Sequence, residues 1–266
     1  MIASAHASTR TFVSSTGSDA NVNSGCSEVA PCASFTAALS QTKSGGEIVA
    51  LTGGSYGPLN ISTPLTVIGV PGASITGSAG TTAITINLPA GIAAGNTVFI
   101  RGIDIDGANN GTNTGIALNS GNLVLRDSKL EMLNVGLLVG NNSATAHADV
   151  INSDFVGNAT AIQTNGAGAA ASCPFTCIYP GPGQTEVRIN GGNLNDNTTA
   201  FSVVNPGQTA NNGNATIFIF QSGTQYSLNL TGFTTYLTVS GTGSHASSGS
   251  VNDAPVVTYN TNGAPN

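Results

Sequence analysis

The sequence predicts an all-β chain folded as a right-handed parallel β-helix, a solenoid of coils closed by a short N-terminal capping helix. Three observations carry this. First, "IRGIDIDG", "LRDSKLEM", "VINSDFVG" and "INGGNLND" align as copies of one segment, with their first apolar residues at Ile100, Leu125, Val150 and Ile189, spaced 25, 25 and 39. Second, two further apolar columns follow in each copy: Ile105, Leu130, Phe155 and Leu194, then Ile116, Leu137, Ile162 and Phe201. Third, charged residues make up 7% of the chain and glycines number 35, a composition of short strands and tight turns rather than exposed helices. A repeat near 25 residues fits leucine-rich repeats or parallel β-helices. The copies lack the leucine-dense consensus of the former. Three short strands and three turns fill such a repeat, and stacked turns of chain about 4.8 Å apart make each apolar column an interior ladder. The hand is that of known examples.

The elements follow in chain order. Residues 1–9 contain Ala5-His6-Ala7, a small-residue pattern like that before a signal-peptidase site, so this stretch is expected to be an export-signal remnant or a linker. Residues 10–46 form the expected cap. A solenoid exposes apolar interior at its ends, and "PCASFTAALSQTKSGG" places Phe35, Ala38 and Leu39 on one helical face, with Gly45 and Gly46 as the stop signal. Residues 47–224 hold the coils. "EIVALTGG", "AITINLP" and "IFIFQSG" read as strands, "LPAGIAAGN" as an outward loop, and "VIGVPG" as a coil start that lacks the second apolar position. The spacing of 39 reflects an excursion, "NGAGAAASCPFTCIYPGPGQ", within one coil. Residues 225–266 are expected to supply closing strands, from "YSLNLTGFTTYLTVSG", and a tail. Gly115, Gly136, Ala161 and Ala200, each just before the third column, keep that position small.

Four cysteines fall as two close pairs, Cys26 with Cys32 and Cys173 with Cys177. Three connectivities are open to four cysteines. Local disulfides suit an oxidising compartment and stiffen Gly- and Pro-rich loops. Zinc needs four convergent ligands, and none of the three histidines lies near either pair. A net charge of −6 disfavours nucleic acid and anionic membrane, and no apolar run approaches a membrane span.

"RTFVSSTGSDAN", the cysteine pair of "CSEVAPCASF", the short helix and "GGEIVALTGGSYGPLNISTPLTVIG" resemble exported bacterial parallel β-helix proteins of the pectate-lyase-like superfamily. By motif the resemblance covers roughly residues 10–70, and by repeat roughly 96–205. It implies a secreted or periplasmic protein on a scaffold that hosts polysaccharide lyases and hydrolases, tailspikes and adhesins.

Seven of the chain's 18 Asp, Glu, Lys and Arg residues lie between Arg101 and Glu131. The repeat register stacks Arg101 beside Arg126, Asp104 beside Lys129 and then Asp154, and Asp106 beside Glu131, all pointing outward. In lyases of the superfamily, aspartates hold calcium and an arginine acts as base. The resemblance thus implies a possible calcium site at Asp104, Asp106 and Glu131, with Arg101, Arg126 and Lys129 binding uronate carboxylates or supplying the base. Stacked Asp106 and Glu131 would raise the pKa of one carboxyl, as a general acid requires. Equally, alternating charges along a ladder are what solvated cross-strand pairs look like. No catalytic motif of the superfamily transfers residue by residue onto these positions. Tyr179 and Phe175, in the cysteine-bearing excursion, are the candidate aromatic contacts for a glycan. The favoured reading is a non-catalytic exported module that binds extracellular or cell-surface polysaccharide, or an adhesive module, with no required cofactor. The alternatives are a lyase or glycosidase for acidic glycans and an oligomeric spike-like assembly.

Overall fold

The structure is a computed structural model that describes residues 8–89, 96–108, 113–140, 146–165, 185–204, 215–220, 228–231, 235–241 and 256–261. It is dominated by short strands, and all the strand pairings among these residues are parallel. From Thr42–Ala50 to Ala215–Phe220, three strand rows are visited in a constant order. The first row, sheet I, runs through ten strands: Ser8–Val13, Thr42–Ala50, Leu65–Ile68, Thr97–Arg101, the second half of Thr114–Arg126, Ala146–Ile151, Thr185–Asn190, Ala215–Phe220, Thr235–Gly241 and Val256–Thr261. Among the described residues, sheet II has six very short strands, among them Ala73–Thr76, Asp104–Asp106, Lys129–Glu131 and Asp154–Val156. Row III contains Leu59–Ile61, Thr82–Asn87, the first half of Thr114–Arg126, Val135–Val139, Thr160–Asn165, Thr199–Val204 and Leu228–Thr231. Thr114–Arg126 joins row III to sheet I as one 13-residue strand. This order is compatible with a parallel β-helix.

The register holds the apolar columns together. Ile48, Val67, Ile100, Leu125, Val150 and Ile189 are successive partners in sheet I, each at most 2% exposed. Ile75, Ile105, Leu130, Phe155 and Leu194 make the sheet II column. Leu59, Ile84, Ile116, Leu137, Ile162 and Phe201 make the third, each at most 0% exposed. Burying each such side chain contributes about 1.5–3 kcal/mol. The coil at 67–72 does have a second apolar position, in contrast to the expectation: it is Ile75, eight residues after Val67 rather than five, because Val70–Gly72 lengthen the turn.

The turn from sheet I to sheet II explains another sequence column. Gly102, Asp127, Asn152 and Gly191 follow in-register strand ends and have φ of 66°, 49°, 47° and 75°. Gly, Asn and Asp are the residues that tolerate this left-handed backbone best. Inside the same turn, Ser128 Oγ donates to the Arg126 carbonyl and accepts from the Ile103 amide, and Ser153 Oγ repeats the pattern on Ile151 and Ser128. These buried polar groups are thereby satisfied.

The N-terminal helix, α1, spans Phe35–Gln41. Ser34 caps it by accepting from the Ala37 amide, and Phe35 and Ala38 are buried, with Leu39 packed against the core. It ends earlier than Gly45 and Gly46 predict. Thr42 closes it, its amide donating to Leu39 and its hydroxyl to Ala38, and it begins the strand that contains both glycines. Cys26 and Cys32 form a disulfide, and their carbonyls accept from the amides of Phe12 and Ser14. Asp19 accepts from the Ala33 and Ser34 amides and from Ser34 Oγ. Cys173, Cys177, Phe175 and Tyr179, with most of the excursion that carries them, lie outside the described residues, as does most of the "LPAGIAAGN" loop. No helix among the described residues is long and apolar enough to cross a membrane.

Candidate functional site

The charged patch lies where sheet I hands the chain to sheet II. Strand alternation turns its side chains outward: Asp104 and Asp106 flank buried Ile105, and Lys129 and Glu131 flank buried Leu130. Asp104, Lys129 and Asp154 are successive register partners, as are Asp106, Glu131 and Val156. Ser74 and Thr76 extend the two columns by one strand. Sheet II therefore presents two outward columns of largely polar side chains.

Arg101 and Arg126 are also register partners, at the ends of their strands. Asp127, held in the turn by its left-handed backbone, reaches both guanidiniums at 3.3 Å. It offsets the repulsion between two stacked cations. Nothing about Asp127 was chemically suggestive in isolation; the signal that finds it is its place in the Gly102, Asp127, Asn152 and Gly191 column.

Lys129 Nζ lies 2.5 Å from Glu131 Oε2, so its close ion pair runs along its own strand rather than across to Asp104 or Asp154. That contact with Glu131 raises the Lys129 pKa. Burial pushes the Asp104 carboxyl up, opposed by the nearby Lys129 charge and reinforced by Glu131. Asp106 Oδ1 accepts from the Ala108 amide at 2.7 Å, and Asp154 Oδ1 accepts from Asn193 Nδ2 at 2.9 Å. Among the described residues, no three His, Cys, Asp or Glu side chains are grouped so as to hold a metal ion. Asp104, Asp106 and Glu131 thus share a face without forming a cage.

The patch brings together Arg101 with Arg126, and Asp104 and Asp106 with Lys129 and Glu131. It offers fixed donors and acceptors at the strand repeat, several of them engaged with one another. A second polar pair lies on sheet I, where His147 Nε2 and Asp149 Oδ1 are 3.1 Å apart and the contact lowers the Asp149 pKa. Compared with known proteins, the chain matches no protein-family model, no curated protein and no solved structure.

Proposed function

We propose that the chain is an exported right-handed parallel β-helix of the pectate-lyase-like kind that binds extracellular or cell-surface polysaccharide through the outer face of sheet II without turning it over. The observation that carries this reading is the pair of in-register polar columns, Ser74–Asp104–Lys129–Asp154 and Thr76–Asp106–Glu131. A linear glycan laid along the stacking direction meets a hydroxyl, carboxylate or ammonium group at each step of about 4.8 Å. A repeating ligand suits a repeating face. The disulfide supports an oxidising, exported setting. The engagement of Lys129 with Glu131, and of both arginines with Asp127, supports binding over turnover, since these groups already have partners.

One observation favours a second reading, a lyase or glycosidase for acidic glycans. The raised Asp104 carboxyl beside Lys129 is the kind of perturbed group that proton transfer uses. A glycan array run with and without calcium separates the two. Binding that is lost in the Lys129→Ala/Glu131→Ala double variant, with the glycan recovered intact, supports the module. Unsaturated, ultraviolet-absorbing products that vanish in Asp104→Ala/Asp106→Ala support the enzyme. Absence of both binding and products across a broad panel rejects both readings.

A further inference from the structure

Ser8–Val13 is the first strand of sheet I and pairs with Thr42–Ala50 on one side. Its other side is a sheet edge, where unmet amides and carbonyls template the addition of a further strand. Backbone groups alternate in direction along a strand, so Arg10, Phe12 and Ser14 address this edge while Thr11 and Val13 face Thr42–Ala50. The edge-side groups from the Arg10 amide to the Ser14 amide all find partners within the chain. Ser8 Oγ accepts from the Arg10 amide and donates to the Arg10 carbonyl. The Phe12 amide donates to the Cys26 carbonyl at 2.8 Å, the Cys32 amide to the Phe12 carbonyl at 3.0 Å, and the Ser14 amide to the Cys32 carbonyl at 2.9 Å. The loop from Cys26 to Cys32 is a strap laid across the edge.

Its two ends are held unequally. The Pro31 carbonyl accepts from the Ser18 amide and from Asn21 Nδ2, and the two amides after Cys32 donate to Asp19. α1 follows at once, with Phe35 buried. At the other end the Cys26 amide donates to the Asn21 carbonyl at 3.1 Å. The preceding turn, Asp19–Ser24, has no buried residue, and Val22 alone in it packs partly against the core. Between the two half-cystines no side chain is buried, and Val29 is 95% exposed. The disulfide therefore ties a weakly held Cys26 to a well-anchored Cys32.

We infer that the Cys26–Cys32 disulfide is a redox-set strap: formed, it seals the N-terminal edge of sheet I, and in the dithiol form the Cys26 end leaves Phe12 while the Cys32 end stays on Ser14. Without the link the two ends move independently. Both half-cystines are fully buried, so a reductant reaches the bond only through opening of the strap. The redox setting in which the chain folds thus decides whether the edge is sealed. A dithiol reductant keeps it open by a balanced exchange. One reductant thiolate attacks a sulfur of the bond, the second displaces the mixed disulfide, Cys26 and Cys32 leave as thiols, and the reductant becomes a disulfide.

The test is amide hydrogen exchange, read residue by residue by NMR, on three samples of the full chain. One is folded with its disulfide, one is folded in dithiothreitol, and one is Cys26→Ala/Cys32→Ala. Without the disulfide, the Phe12 amide should exchange about ten-fold faster or more, the Ser14 amide less than about three-fold faster, and Thr11 and Val13 at unchanged rates. If the double variant does not fold, the reduced wild type is read. A Phe12 amide as protected as in the oxidised chain overturns the inference. So does an equal loss across Thr11, Phe12, Val13 and Ser14, which marks a disulfide that supports the whole cap rather than one end of a strap. Failure of both disulfide-free samples to fold overturns it for the same reason.

Discussion

Met132 has φ 55° with its side chain 48% exposed, at a turn position that Gly157 occupies on the next strand step with φ 65°. A non-glycine residue there costs about 1–2 kcal/mol, and glycine costs about 0.5–1 kcal/mol through the unfolded chain. Met132→Gly is therefore expected to stabilise by about 0.5 kcal/mol in urea denaturation. Gly157→Ala should destabilise by about 1 kcal/mol, although nothing lies within 4 Å of the added methyl, because only the backbone objects. Two carboxyls move stability in opposite directions with pH. Asp104 is raised in the folded state by burial, so its ionisation penalises folding at neutral pH, and the penalty disappears as pH falls through its folded pKa toward the unfolded value of 3.8. Asp149 is lowered through its bond to His147, so it contributes stability above 3.8 that is lost as pH falls through its folded pKa. Melting temperatures at pH 7 should thus rise in Asp104→Asn and fall in Asp149→Asn, and both differences should shrink at strongly acid pH.

At the scale of elements, the stacked columns were the most legible part of the sequence, because a spacing of 25 that recurs between Ile100, Leu125 and Val150 places like residues in line without reference to anything distant. Phe155 illustrates the consequence: it is fully buried, with Leu130 and Leu194 as its register partners. Phe155→Ala should cost about 3–5 kcal/mol in denaturant titration. Where a turn changes length the alignment slips, which is why Ile75 was not legible as a member of the second column. The end of α1 was misjudged for a related reason. Glycines are good stop signals, but Thr42 pairs with Ser8 and is drawn into sheet I by a partner far along the chain. The cap also depends on contacts that spacing does not reveal. Asp19 accepts three hydrogen bonds from Ala33 and Ser34, so Asp19→Ala should destabilise by about 1–3 kcal/mol. In the charged patch, the columns of residues were legible, but not the choice of ion pairs. Rotamers let Lys129 turn to Glu131 on its own strand, and no sequence rule distinguishes that from a bond across to Asp104.

At the scale of the whole molecule, one relation supports the rest: strands 25 residues apart lie side by side, parallel and without offset. The polar columns of sheet II, the buried apolar columns and the left-handed turn column all follow from it. A shift of one residue between neighbouring strands exchanges inner and outer faces and abolishes all three. Val124 and Asp149 are outward register partners in sheet I. Their separation of about 4.8 Å falls within the Cα range of about 4.4–6.8 Å that a disulfide spans. Oxidation of Val124→Cys/Asp149→Cys, followed by peptide mapping, tests the register directly. The expected result is a link between positions 124 and 149 in near-quantitative yield, with little or none in the offset control Val124→Cys/Val150→Cys, whose second side chain points inward. A missing 124–149 link, or an equal yield from the offset pair, would contradict the register and the surfaces built on it.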